Sequence, residues 1–567
     1  MTRWAFGLVV VLAVASACKK QERPKEQQGS TATTSTKPVP DKPPVTVRIA
    51  YGSEKKAWLE EAIKAFDATG PKSAAGNPLK IEAKSFGSGE AATAILDGSF
   101  KAHVYSPASA AYLAILNQSW MTMPNAPHSK PLAPAGDPVV LSPIVIAMWK
   151  PMAEALGWPT KDIGWKDIIK VSKDPAGWGS LAHPEWGVFK LGHTHPEFSN
   201  SGLLAVLAEA YAGAGKLRGL ERTDLDAKAT QDYLGAIENA VVHYGKSTSL
   251  FTDQMLANGP AYMSACVTYE NLVIESYGKT TNAPFPLVAI YPVEGTFWSD
   301  HPYSILDAEW VGADEKAGAQ AFLAFLKSKP MQERALALGF RPADSSIAMA
   351  APVDAAHGAD PKQPETLLEV PGGEVLSHLL EVWRQHKKSA VVMIVFDKSG
   401  SMVGDPLKEA KVGAQAFLDG LSDRDAVSLL FFDSTVANPT PPVEIKAGRI
   451  KLKAQIEGVF ADGGTALYDA VSVGYQAALA RSKREPGRIH AMVVMTDGRD
   501  EHSKLPLVDL EKKFNPENAP VKIFTIAYGD HADPAVLEKI AKAAQGTAVK
   551  GSAGTIVQIY RDMSAFF

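Results

Sequence analysis

Short apolar runs recur along this chain, each followed by a turn and then by a segment whose apolar residues return every three or four positions. That alternation is the signature of strands feeding amphipathic helices in α/β folds. "VTVRIAY" (45–51) predicts a strand, and "EKKAWLEEAIKAFDATG" (54–70) predicts a helix closed by Gly70. "LKIEAKS" and "HVYS" predict further strands, and the long run "DPVVLSPIVIAMW" (137–149) opens a second series. In that series "WGVFKLG", "AYMSACV" and "FPLVAIY" are expected strands, and "NSGLLAVLAEAYAGAG" an expected helix. "EKAGAQAFLAFLKS" and "MQERALALG" are helical in period. These spacings fit two successive α/β lobes. After a compositional dip the alternation resumes as "VVMIVF", "AVSLLFF", "IHAMVVM" and "VKIFTIA", with helical segments such as "LKEAKVGAQAFLDGL" and "ALYDAVSVGYQAALARS" between them. Unbroken apolar runs without alternation predict strands buried on both faces, hence a doubly wound parallel sheet.

Length and composition bound the picture further. The 567 residues exceed one hydrophobic core, and 46% hydrophobic residues with a net charge of −4 suit globular material without a polyanion-binding arm. The first residues differ. Arg3 precedes the apolar run "WAFGLVVVLAVASA", which is too short to span a membrane comfortably and predicts a signal peptide over 1–17. Ala15-Ser16-Ala17-Cys18 resembles a bacterial lipobox, with Ala15 where leucine is usual. The resemblance implies cleavage before Cys18 and acylation of its thiol; the plainer alternative is an ordinary signal peptide with an incidental cysteine. The other cysteine, Cys266, is an expected core residue, which leaves the mature chain without an internal disulfide. Residues 18–45, rich in Lys, Gln, Thr, Ser and Pro, predict a lipid anchor followed by a disordered tether.

The C-terminal series carries the clearest chemistry. "VVMIVFDKSGSM" ends a strand in Asp397, Ser399 and Ser401; "DGGTALYDA" supplies Thr465 and "MTDGRDE" supplies Asp497. Two carboxylates and three hydroxyls at strand ends form a hard-oxygen set suited to Mg²⁺ or another divalent cation such as Ca²⁺ or Mn²⁺. Taken singly, each piece is also explained as a loop, a helix N-cap or a turn. Together, Asp-x-Ser-x-Ser, then Thr, then Asp are similar to the metal-ion-dependent adhesion site (MIDAS) of von Willebrand factor type A (VWA) domains, over 389–567. The resemblance implies direct coordination by the serines, aspartates acting largely through water, and an open position for a carboxylate from a partner protein.

Upstream, "IAYGSEKKAWLEEAIKAF", "SFGSGEA", "VYSPAS", "SPIVIAMW" and "AEWVG…AFLAFLKS…GFRPA" together resemble bacterial extracellular solute-binding proteins of the two-lobed periplasmic type, over 46–345. That resemblance implies two hinged lobes closing on a ligand. Ser53, Ser88, Gly89 and Ser106 fall at strand-to-helix junctions, and Ser199, Asn200, Ser201 and Gly202 open an apolar helix, where free amides attract anions. Ordinary N-capping explains the same residues equally well. Tyr269 and Glu270 are further candidates for the cleft. His193 and His195 are expected after a strand, and with no third ligand in view they carry no metal assignment. Residues 346–388 are an expected linker.

These readings combine into a secreted, membrane-anchored lipoprotein of the periplasm or cell surface, with a periplasmic-binding-protein-like module and a Rossmann-like VWA domain. Its expected work is binding without catalytic residues: Mg²⁺ captures an acidic residue of a protein partner, and the N-terminal cleft takes a small polar or anionic ligand. The alternative is a transport-associated solute receptor whose VWA domain docks to a membrane complex. No nucleic-acid partner is expected.

Overall fold

The protein is described here from a computed structural model covering residues 43–123, 128–279, 283–514, 519–529, 531–552 and 554–567. The expected signal peptide, Cys18 and nearly all of the tether lie outside the described residues.

The N-terminal module contains, in chain order, strands β1 (Val45–Gly52), β2 (Leu79–Phe86), β3 (Val104–Ser106), β4 (Asp137–Pro138), β5 (Val140–Trp149), β6 (Leu191–Thr194), β7 (Val241–Gly245), β8 (Ala265–Tyr269), β9 (Leu287–Ile290), β10 (Trp298–Ser299), β11 (Pro302–Ile305) and β12 (Arg341–Pro342). They form two sheets. One runs β2-β1-β3-β11-β4; the other runs β10-β5-β8-β6-β7, with β9 and β12 also paired to β5. The chain crosses between the sheets from β4 to β5 and returns from β10 to β11, so each lobe is built from discontinuous sequence. His301, at the return crossing, is fully buried and adopts a left-handed φ of 41°, unusual for a residue with a Cβ.

The C-terminal module holds β13 (Ala390–Asp397), β14 (Ala426–Phe432), β15 (Val443–Glu444), β16 (Ile489–Thr496), β17 (Lys522–Tyr528) and β18 (Ala548–Gly551). They form one sheet in the order β15-β14-β13-β16-β17-β18. All pairings are parallel except β14 with β15, so the expected parallel sheet carries one antiparallel edge. Every residue of β13 and β16 is buried, because helices cover both faces.

Three sequence expectations shift. The strand expected at "WGVFKLG" begins only at Leu191, since Trp186 closes a short turn and packs edge-on against Trp178, with ring centroids 5.5 Å apart. His193 therefore lies within the strand rather than after it. The strand expected at "AYMSACV" begins at Ala265. The expected linker contains the helix Gly373–His386, whose Leu376, Leu379, Val382 and Trp383 are buried. Apolar residues at helical spacing give that segment a face to bury, so part of it is docked structure.

The two modules meet at one edge of the C-terminal sheet. Lys387, just past the linker helix, is buried against Asp425 at 3.2 Å and donates to the carbonyl of Phe567. Lys246 pairs with Asp562, Gln254 donates to the Thr547 hydroxyl at 3.3 Å, and Lys522 donates to the Val242 carbonyl. Asp425, Lys522 and Thr547 all lie at or just before the amino ends of their strands. The carboxyl edge lies opposite.

Candidate functional site

At the carboxyl edge the expected oxygen residues come together. Asp397 ends β13, and the chain turns through Ser399, whose backbone N–H donates to Asp397 Oδ1 at 2.8 Å. The Ser399 and Ser401 hydroxyls are 3.0 Å apart, and Ser401 donates to Asp497 Oδ1 at 2.7 Å. Thr465 joins them from a separate loop: a Cβ placed on Gly498 would lie 3.1 Å from the Thr465 hydroxyl and 3.4 Å from that of Ser401. Ties between loops hold the arrangement. Gly400 N–H donates to the Gly463 carbonyl at 2.7 Å, and Asp462 N–H donates to that of Lys398 at 2.8 Å.

Thr496 is a member that sequence reasoning missed. Its hydroxyl donates to the other Asp397 oxygen at 2.5 Å and anchors that carboxylate from β16. The signal for it was its position: Thr496 ends one apolar strand as Asp397 ends another, and parallel neighbours bring such ends together. Burial pushes the Asp397 carboxyl up to about 6, against the lowering effect of its hydrogen bonds, and burial also raises Asp497. Desolvated carboxylates beside hydroxyls, with no basic side chain among the described residues hydrogen-bonded to either, form a donor set that a divalent cation fits.

The N-terminal candidates lie between and within the lobes, all buried except Ser53, which is half-buried. Ser53 reaches across to Ser247, hydroxyl to hydroxyl, at 2.8 Å. Ser109, which the sequence reading did not single out, donates to Asn200 Oδ1 at 2.6 Å, and Asn200 donates to the Tyr269 hydroxyl at 3.2 Å. Ser88 accepts from the backbone of Ala108 at 3.1 Å. Ser106 ends β3, buried in register with Tyr51. Ser199 and Ser201 instead stay within their own lobe: both meet the Thr248 hydroxyl, at 3.0 and 2.8 Å, and Ser201 also meets Thr194. Gly202 lets its helix approach β6, since a Cβ there would lie 1.9 Å from the Thr194 carbonyl.

Amides at two of these junctions are engaged by protein: that of Ser199 donates to the His195 carbonyl at 3.0 Å. Gly89 and Glu90 N–H donate to the Phe198 carbonyl of the other lobe, at 3.0 and 3.3 Å. A Cβ on Gly89 would sit 1.9 Å from the Glu197 carbonyl, so the glycine permits this contact. Lys246 pairs with Glu90 at 2.7 Å across the same seam. Glu270 is also committed, held by both nitrogens of the Arg341 fork at 2.8 and 2.6 Å. Such a buried pair is structural. His193 acquires neighbours that sequence spacing could not provide: ligand atoms of His193, Glu209 and Glu238 lie within 4.8 Å of one another, fully buried. Glu238 already accepts from Trp383 at 2.8 Å and from Tyr244 at 2.6 Å, while His195 packs against the Trp383 ring. Burial, then Glu238, raises the Glu209 carboxyl well above its usual range.

A buried trio sits at the return crossing. Lys55 donates to Glu54 at 2.8 Å, and the His301 Nδ1 lies 3.2 Å from the same carboxylate. Burial favours the neutral Glu54, but Lys55 and His301 outweigh it and hold the carboxyl at about 2. Burial, then Lys55, pushes His301 down to about 4. Both groups bind protons more readily when unfolded, so both confer stability at neutral pH that acid removes. The His301 share is lost as pH falls from about 6.5 to 4 and the Glu54 share from about 4.5 to 2. Thermal denaturation should therefore show His301→Gln flattening the pH dependence between about 6.5 and 4, a difference of roughly 3 kcal/mol across that window. Parallel curves for variant and parent would contradict this.

Comparison with known proteins follows the same division. The family of bacterial extracellular solute-binding proteins matches residues 47–341, and the von Willebrand factor type A domain matches residues 392–559. Among curated proteins, an uncharacterized protein of Synechocystis sp., sll0103, is 33% identical over 160 residues, 27% of this chain and 36% of its own length. Inter-alpha-trypsin inhibitor heavy chain H4 of Bos taurus is 29% identical over 157 residues, 26% of this chain and 17% of its own. The chain thus spans about a third and a sixth of these relatives. Among solved structures, the periplasmic binding protein AfuA from Actinobacillus pleuropneumoniae is 16% identical with a TM-score of 0.42, covering 60% of this chain and 98% of that one. A von Willebrand factor type A protein from Catenulispora acidiphila is 25% identical with a TM-score of 0.28, covering 31% of this chain and 42% of that one.

Proposed function

This chain belongs to the bacterial extracellular solute-binding proteins and carries a von Willebrand factor type A domain behind that module, and from this premise we propose that it is an extracytoplasmic capture protein. In this reading Asp397, Ser399, Ser401, Thr465 and Asp497 hold a divalent cation, with Mg²⁺ best matched to two carboxylates and three hydroxyls. When bound, the cation supplies a positive centre for a carboxylate of a protein partner. The observation that carries the reading is the opposition of the two sheet edges. The N-terminal module docks at the amino ends of the strands, while the oxygen cluster lies at the carboxyl ends. A partner can reach that edge without displacing the other module.

The N-terminal cleft is proposed to take a small polar or anionic ligand between Ser53, Ser88, Gly89, Ser106 and the Ser199–Gly202 helix start. The Phe198 carbonyl now satisfies the Gly89 and Glu90 amides, so a ligand enters by replacing that contact as the lobes part. Anchoring through an acylated Cys18 completes the proposal, and a Cys18→Ser chain still recovered with membranes would remove that part. Among the described residues no helix is long and apolar enough to cross a membrane.

The test is cross-linking capture from envelope fractions in Mg²⁺ or in EDTA. A partner retained only with Mg²⁺ by the parent chain, and lost from Asp397→Ala, is the expected result. Equal retention in EDTA would overturn the metal-dependent reading and favour the alternative, a solute receptor that docks its VWA domain by other contacts.

A further inference from the structure

A cavity of about 490 Å³ opens between the N-terminal module and the amino edge of the C-terminal sheet, and its charge is one-sided. Lys190 contributes from the N-terminal module, Lys388 from the connector, and Lys483, Arg488, His490 and Lys522 from the C-terminal module. Among the described residues, no aspartate or glutamate lines it. Arg488 has an ion-pair partner, Glu485, at 3.7 Å. Among the described residues, none of the four lysines has a carboxylate within 4.0 Å.

Cations of like sign gathered in a partly enclosed space repel one another and lose hydration, a cost that folded chains ordinarily offset with a counter-charge. The Lys190 and Lys522 ammonium groups are turned to backbone carbonyls of Ala261 and Val242, which supply dipoles but no charge. Burial, then Lys388 and Lys190, holds Lys522 well below the ordinary lysine range, and burial alone lowers Lys388 and Lys190. His490 is 4% exposed, its Nε2 faces the Glu485 carbonyl at 2.8 Å, and its Nδ1 has no hydrogen-bond partner. The Arg488 Nε is likewise buried without a partner. These unpaired nitrogens lie on residues lining the same cavity.

We propose that this cavity binds a compact soluble anion carrying two or more negative charges, of the phosphate-ester or polycarboxylate class, which joins the two modules through Lys190, Lys388, Lys483, Arg488 and Lys522. The site is separate from the oxygen cluster. His490 is the second residue of β16 and Thr496 ends it, so the strand separates the two sites by roughly 20 Å at about 3.3 Å per residue. It is also separate from the inter-lobe cleft, so loss of function at either place leaves this site intact.

The test is titration calorimetry on the full chain with pyrophosphate, citrate and, as a monovalent control, chloride at constant ionic strength. Saturable one-to-one binding of pyrophosphate or citrate, absent for chloride, is expected. Lys388→Ala and Lys522→Ala should each weaken it about tenfold or more, as expected for losing one charge-assisted hydrogen bond. Lys483→Ala, at an exposed position, provides a variant whose folding is not at stake and should weaken binding in the same direction. Lys64→Ala, far from the cavity, should leave it unchanged. Absence of saturable binding by both polyanions up to about 5 mM, or equal affinity in all three cavity variants and the parent, overturns the proposal. So does binding to vesicles of anionic phospholipid without binding of either soluble anion, since that assigns the charge to a membrane surface.

Discussion

Asp397→Ala should lower Mg²⁺ affinity by at least about 100-fold in titration calorimetry while leaving the fold within about 2 kcal/mol of the parent. Asp397 is the one residue of the cluster that organises its own loop as well as facing the proposed cation. It accepts from the Ser399 amide and from the Thr496 hydroxyl, and so ties the loop after β13 to the neighbouring strand β16. Its carboxylate is also desolvated, and burial raises its proton affinity. Replacing it removes two accepted hydrogen bonds but also removes a buried charge, and these effects partly cancel in stability. They do not cancel in metal binding, where the negative charge is the attraction itself. An unchanged Mg²⁺ affinity would reject Asp397 as part of a metal site. A comparable loss in Thr496→Val would identify the hydroxyl as the group that aims the carboxylate.

Trp383→Ala should destabilise the protein by about 3 to 5 kcal/mol in chemical denaturation, the second large effect expected. Trp383 is fully buried on the helix Gly373–His386, and its ring meets those of His195 and Tyr244 edge-on. Its indole N–H also donates to Glu238, a fully buried carboxylate that leans on few other donors. The substitution opens a cavity and takes one donor from a buried carboxyl group. Trp383→Phe separates the two terms: it keeps most of the packing and should cost about 1 to 3 kcal/mol for the donor alone. A loss below about 1 kcal/mol in Trp383→Ala would mean that the connector helix is not docked on the lobe as described. Because Lys387 and Asp425 form a buried pair directly after this helix, undocking it should also loosen the contact between the modules.

The oxygen-rich edge was legible in the sequence because of a geometric property of parallel sheets. All loops leaving the carboxyl ends of parallel strands gather at one edge, so Asp397 at the end of β13 and Asp497 after β16 must be neighbours once the strands pair. Thr465 was legible for a related reason, as it lies in the loop just before the helix Leu467–Arg484 that leads into β16. Strand and helix placement followed from periodicity almost throughout. It slipped where Trp186 and Gly187 satisfied a local turn before β6 began, because an apolar run alone does not distinguish a strand from aromatic packing.

The N-terminal cleft was legible only in part. Serines at helix starts look alike whether they cap, face a ligand or bond to one another, and distant partners decide among these. Ser201 chose Thr194 and Thr248 of its own lobe, whereas Ser53 chose Ser247 across the seam. The Phe198 carbonyl on the Gly89 amide, the Glu209 and Glu238 carboxylates beside His193, and the lysines gathered from three parts of the chain around one cavity are likewise tertiary outcomes. Periodicity and loop position are properties of neighbouring residues, so the sequence by itself determined the α/β architecture and the oxygen-rich edge. Burial and charge depend on what packs against a residue from far away, so only the folded chain decided which polar groups are satisfied and which are left to meet a ligand.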